Sequence, residues 1–218
     1  MAVSLPNGVL LALATAYGTP VTMSALSNAN PATATLTDSS TFANGDYVEV
    51  TSGWSRLNNR VARVTGWSAS PETLQLEGIN TTDTEDYPVG SGTGSLREIT
   101  TFTQISQILE LTSSGGEQQF VTYSFLEQDF ESQLPTQQSP MSMTMVIADD
   151  PTLAGYIALK AAAEARDLVA LRATLPDGSK ILYNGYVSFN ETPTMTKNQI
   201  MGVTATFSLQ GRPVRYAT

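Results

Sequence analysis

Gly90-Ser-Gly-Thr-Gly94 has the glycine density of a loop that cradles phosphate on its backbone amides. Such a loop follows a buried parallel strand, opens a helix and carries Gly-Lys-Ser/Thr. None of these accompanies the run, which reads as a turn. Asp83, Glu85 and Asp86 gather the carboxylate oxygens that calcium favours, but without the spacing and central glycine of an EF-hand loop. They read as a solvated acidic turn, and no metal ligand is assigned. Asp149 and Asp150 have the types of a general acid/base pair. Pro151 directly after them points instead to a helix start, with Asp150 as its N-cap and both charges at the positive end of the dipole. A Ser–Lys dyad has its residue types, but no nucleophile-elbow sequence accompanies Lys160, Lys180 or Lys197. The absence of cysteine and histidine removes disulfides, thiolate nucleophiles, Cys/His zinc sites and imidazole catalysis. The chain reads as a non-enzyme with no catalytic residue, no cofactor and no metal.

The elements around these residues are mostly strands. Met141 to Ile147 alternates apolar and small polar side chains, as a half-buried strand does. The predicted helix runs over about 151–166, with Leu153, Ile157 and Ala161 on one face. Val169–Leu175 and Lys180–Phe189 flank the turn Pro176-Asp177-Gly178-Ser179, and Val203 to Gln210 alternates again. One helix laid on an antiparallel sheet, with no chemistry on it, describes a building block.

Composition bounds the partners. The chain has 218 residues, a formal net charge of -9 and only 14% charged residues, against roughly 25% in ordinary soluble domains. A surface poor in lysine and glutamate suits contact between proteins, and equally a threonine-rich β protein. The lack of cysteine is compatible with a reducing cytoplasm. Leu5 to Tyr17 is apolar and Ala14-Thr15-Ala16 mimics a signal-peptidase site, but no Lys or Arg precedes it and it is too short to cross a bilayer. It reads as an arm or edge strand.

Between about Val21 and Glu98 the chain is turn-dense, with short strands at Asp46–Val50, Arg60–Thr65 and Thr73–Glu77. This predicts a small all-β module, a barrel or sandwich. Thr103–Leu111 and Gln119–Leu126 read as a hairpin around Ser113-Ser-Gly-Gly116. Glu127–Pro140 reads as a long arm that orders on contact, with Phe130 and Leu134 its main apolar residues. Arg212 and Arg215 read as a strap pairing with carboxylates of a neighbouring subunit. The fold class is therefore mainly β (α+β): an antiparallel sheet from 1–21 and 99–218 with one flanking helix, and an inserted small all-β domain at 22–98.

Ser142-Met-Thr-Met-Val-Ile-Ala-Asp-Asp-Pro-Thr-Leu153, Leu175-Pro-Asp-Gly178, Tyr183-Asn-Gly-Tyr-Val-Ser-Phe-Asn-Glu191 and Val203 to Gln210 carry a resemblance. Over residues 1–21 and 99–218 the chain resembles the major tail tube proteins of long, non-contractile-tailed bacteriophages. Within 22–98, Ser27–Pro31, Ala43–Val50, Leu57–Arg60 and Leu74–Leu76 are similar to a small β-barrel repeat of phage virion proteins. That fold also occurs in ubiquitin-activating enzymes, whose cysteine chemistry has no counterpart here. The resemblance implies an antiparallel β-sandwich or half-barrel with one flanking helix, in a virion protein forming hexameric rings, assembled in the host bacterial cytoplasm and stacked into a tube. Tape-measure protein and then DNA would occupy the lumen, with tail terminator and baseplate or tip proteins at the ends and no membrane insertion. The alternatives are a host-surface or carbohydrate-binding virion protein, with Tyr47, Trp54 and Trp67 as stacking surfaces or core, and the tube of a phage-derived secretion or bacteriocin system.

Overall fold

In a computed structural model, residues 7–37 and 42–217 are described; Leu5 and Pro6 of the apolar N-terminal stretch lie outside them. The strands in chain order are β1 (Leu10–Tyr17), β2 (Val21–Leu26), β3 (Ala32–Leu36), β4 (Tyr47–Ser52), β5 (Arg60–Ala69), β6 (Glu72–Leu76), β7 (Gly94–Ile105) and β8 (Ile108–Ser114). There follow β9 (Gln118–Tyr123), β10 (Ser132–Gln138), β11 (Ser142–Ala148), helix α1 (Ala154–Ala165), β12 (Leu168–Thr174), β13 (Lys180–Thr194), β14 (Gly202–Leu209) and β15 (Val214–Tyr216).

Two cores organise these strands. In the first, β2, β3, β6, β5, β4 and β7 pair in that order, and β7 pairs back to β2 through Val21↔Leu96. The ring is closed, so no edge is left open. Its interior is filled by Met23, Val48, Val50, Trp54, Leu57, Leu74, Leu76 and Leu96. In the second, β7, β1, β12, β13, β14, β11 and β8 form a curled antiparallel sheet. Leu11, Leu13, Ile105, Met143, Met145, Ile147, Leu171, Val203 and Phe207 meet inside it. The half-barrel with a single flanking helix, implied by the resemblance, is the observed architecture among the described residues.

Strand β7 belongs to both cores: Gly94–Glu98 pairs in the barrel and Ile99–Ile105 pairs with β1. A buried polar junction joins the two. Arg97 on β7 donates to Glu49 on β4, at 2.5 Å from Nη2, and Asn184 on β13 donates to the other Glu49 oxygen at 2.8 Å. The Arg97 guanidinium lies 4.0 Å from the centre of the Tyr17 ring. The Tyr17 hydroxyl accepts the Ala170 amide, and burial pushes its pKa up to about 12. Tyr216 makes a second weld: its hydroxyl accepts the Arg63 amide and donates to the Glu77 carbonyl, and burial also moves it to about 12.

Several local expectations are corrected. β1 is interior, paired on both sides by β7 and β12, and is not an edge strand. Thr103–Leu111 is broken at Gln107, whose positive φ of 58° turns the chain from the β1 neighbourhood to the β11 neighbourhood. Helix α1 begins at Ala154, not near 151, with Leu153 at the cap position and no side-chain cap. Asp150 is therefore not the N-cap. Its carboxylate instead accepts the Thr152 amide (3.1 Å) and hydroxyl (2.6 Å), closing a turn that delays the helix. The buried helix face carries Gly155, Tyr156 and Leu159, while Ile157 is exposed. Gly155 explains the choice: a Cβ there would come within 2.7 Å of the Gln104 carbonyl, so the helix backbone rests directly on β7.

Candidate functional site

The residues singled out for chemistry are occupied structurally. Trp54 is 2% exposed, donates its indole N–H to the Pro88 carbonyl and packs edge-on against Tyr87. Gly92 lies so close that a Cβ would approach the Trp54 ring to 2.8 Å, which accounts for glycine in that run. Tyr47 is buried and Trp67 is half-buried against Phe42, so these aromatics build the barrel core. Asp86 pairs with Arg56, and Asp83 accepts the Glu85 amide. Among the described residues no group of acids or histidines is arranged to hold a metal. No helix is long and apolar enough to cross a membrane.

What remains unsatisfied is surface. The first surface is an edge. β8 pairs with β11 on one side only, and its solvent-facing Leu109 and Leu111 stay exposed. Beside it, Val9, Leu11, Ile108, Leu109 and Leu111 line a cleft of about 440 Å³. An apolar unpaired strand is a template for another chain.

The second surface is the outer face of β8, β11, β14 and the end of β13. Register places the side chains in rows across the four strands. Ser114, Ser142, Ser208 and Tyr186 form one row, and Thr112, Thr144, Thr206 and Ser188 the next. Glu110, Val146, Thr204 and Asn190 form the third. Ser114 and Ser142 hydroxyls are 2.9 Å apart. Glu110 is the single charge in these rows; Glu191, farther along β13, points to the helix and pairs with Lys160 at 2.8 Å. Alternation explains the face: Met143, Met145, Ile147, Val203, Ala205 and Phe207 are the intervening residues and fill the core.

The third surface is the arm. The predicted hairpin around Gly115-Gly116 does not form, because β8 pairs with β11 and β9 pairs with β10 in nearly the same register. Residues 108–148 are thus one long ribbon, with β9 and β10 as its distal half and 124–131 as its tip. Glu127–Pro140, expected as an irregular arm, contains strand β10. Gly115 and Gly116, at φ of +85° and +81°, mark the bend midway. A Cβ on Gly115 would meet the Pro140 carbonyl at 1.8 Å, so the arms cross too closely there for any side chain. Every residue of β9 is exposed, as are Phe125, Leu126, Phe130 and Leu134.

Phe130 lies in the arm tip and Leu134 on β10, while the two C-terminal arginines lie elsewhere. β15 pairs with the start of β13, and the exposed Arg215 reaches Asp177 at 3.8 Å and Ser179 at 3.3 Å within its own chain. Arg212 is exposed on the approach to β15. The hydroxyl rows were legible as Thr/Ser alternation; the arm's β pairing was not.

None of the curated proteins compared matches the chain. The family model described as phage tail tube protein, TTP, matches residues 52–218, more than half of the chain, starting inside β4 and continuing through β5, β6 and β7. With an open strand edge, a face of hydroxyl rows and an exposed arm described, the match over residues 52–218 shows that this chain belongs to the phage tail tube protein family, structural components of the virion.

Proposed function

We propose that the subunit closes into hexameric rings that stack into the tail tube, the conduit for tape-measure protein and then DNA. The observation that carries this reading is the end of the curled sheet, strands β13, β14, β11 and β8, with its open β8 edge and its hydroxyl-lined outer face. Lateral pairing of β8 with a neighbour removes the edge, and repetition around a ring closes the sheets into a barrel. The Ser/Thr rows then face the lumen. They carry no cation to capture phosphate, and the chain's net charge of -9 opposes adhesion of DNA.

In this arrangement Phe130 and Leu134 on the arm make ring-to-ring contacts. Arg212 and Arg215 lie at the subunit margin, where they meet carboxylates of a neighbour. The closed barrel of residues 22–98 acts as a module inserted into the tube domain and held outside the channel. Assembly takes place in the host bacterial cytoplasm, and the ends of the tube meet tail terminator and baseplate or tip proteins.

Electron microscopy of the purified chain at low and high concentration, followed by reconstruction of any tube, tests this directly. We expect hollow stacked rings with outward knobs and a Ser/Thr-lined wall. A lumen lined by lysine and arginine, or by the barrel, overturns the proposal.

A further inference from the structure

The arm leaves one end of the four-stranded sheet, the end marked by Ser114, Ser142 and Leu209. The opposite end, marked by Ile108, Ala148, Gly202 and Thr194, is closed by the loop Met195-Thr-Lys-Asn-Gln-Ile-Met201. That loop exposes Met195 (76%), Ile200 (67%) and Met201 (47%). Leu10, Val89, Ile157 and Tyr186 are also exposed, but each stands without a second exposed large apolar side chain within six residues of it. The molecule therefore presents apolar side chains at both ends of one set of strands, separated by about 20 Å of sheet.

Charge adds to the match. Between Arg97 and Lys160 the sequence has no lysine or arginine, and the arm tip carries Glu127, Asp129 and Glu131 around Phe125, Leu126 and Phe130. The loop carries Lys197, which has no ion pair among the described residues. The nearby acids are engaged locally: Glu191 holds Lys160, and Asp150 holds Thr152. Asp149 donates its amide to the Met201 carbonyl and so fixes the loop to the end of β11. Methionines suit such a receiving surface because their unbranched chains repack around an incoming ring.

We infer that residues 195–201 are the receiving surface for the arm tip of a second copy of this chain, with Phe125, Leu126 and Phe130 against Met195, Ile200 and Met201. Lys197 lies among the tip carboxylates. The inference rests on the tube reading and deepens it. Because the two surfaces differ and lie at opposite ends, the contact is heterologous and propagates as an open stack.

The natural absence of cysteine gives a clean test. Chains carrying Leu126→Cys and chains carrying Ile200→Cys are mixed, assembled, checked for tubes by electron microscopy and treated with a short bis-maleimide. We expect abundant cross-linked dimers from the mixture. Either variant treated alone should remain at least tenfold poorer in dimer, and the doubly substituted chain should give a ladder. Tubes that form without a mixture-specific dimer overturn the receiving surface and leave the tube reading intact. Failure of the unsubstituted chain to form tubes under any condition overturns both.

Discussion

In the barrel, Trp54 lies edge-on to Tyr87 at 5.2 Å, roofed by Gly92 and tied to the Pro88 carbonyl. In the arm, Tyr123 lies edge-on to Phe125 at 5.6 Å, with both rings in solvent. The pair geometry is nearly the same, so the pairing itself does not separate a core from a contact surface. The difference is what surrounds the pair. Trp54 meets protein on every side, whereas the arm is two strands thick with nothing over either face. A two-stranded ribbon in water is marginal by itself. Here it persists as the continuation of β8 and β11, whose other ends are anchored in the half-barrel core.

The largest effect should come from the buried side of this comparison. Trp54→Ala empties the barrel centre and should cost roughly 3–5 kcal/mol, read from urea unfolding. Next is the junction: Glu49→Ala leaves Arg97 and Asn184 facing a gap. It should cost roughly 3 kcal/mol, at the low end for a broken buried pair because Arg97 is partly exposed.

Alkali should act on the same welds. Tyr17 and Tyr216 hold their protons to about 12 in the fold, against 10 in the unfolded chain. Their contribution is full below pH 10 and is lost as pH rises toward 12. The urea midpoint should fall between pH 9 and pH 11, and less so in Tyr17→Phe.

The arm should behave in the opposite sense. Phe125→Ser with Phe130→Ser should change monomer stability by less than about 0.5 kcal/mol, yet abolish tubes in the microscope. Equal losses of stability in the arm and barrel variants would erase the distinction drawn above. The smallest effect is expected at Asp150→Ala. A true N-cap would soften the helix signal by circular dichroism; a carboxylate that only closes the Thr152 turn should leave it unchanged.

The same contrast explains what could be read from the sequence. Strands with one buried face announced themselves: Met141–Ile147 and Val203–Gln210 alternate because one side meets the core and the other does not. Turn punctuation located β4, β5 and β6 of the barrel, but not β2, β3 or its part of β7. Pairing between distant strands left no such trace. Gly115-Gly116 has the composition of a turn, and only the partner Pro140 shows that it is a bend in one side of a ribbon. The helix face was misjudged for a related reason. Gly155 is buried because it lets the backbone touch β7, and hydrophobic periodicity gives a glycine no weight. Of the surfaces proposed for assembly, the Ser/Thr rows were visible as a pattern. The loop 195–201 was not, since its meaning depends on lying at the far end from the arm.

That opposition of ends has a consequence for size. In the proposed tip-to-loop contact, a stack of any length keeps free tips at one end and free loops at the other. Such a polymer has no built-in terminus and does not count its members. On that proposal a defined length has to be imposed from outside the chain, by whatever covers the last free loops.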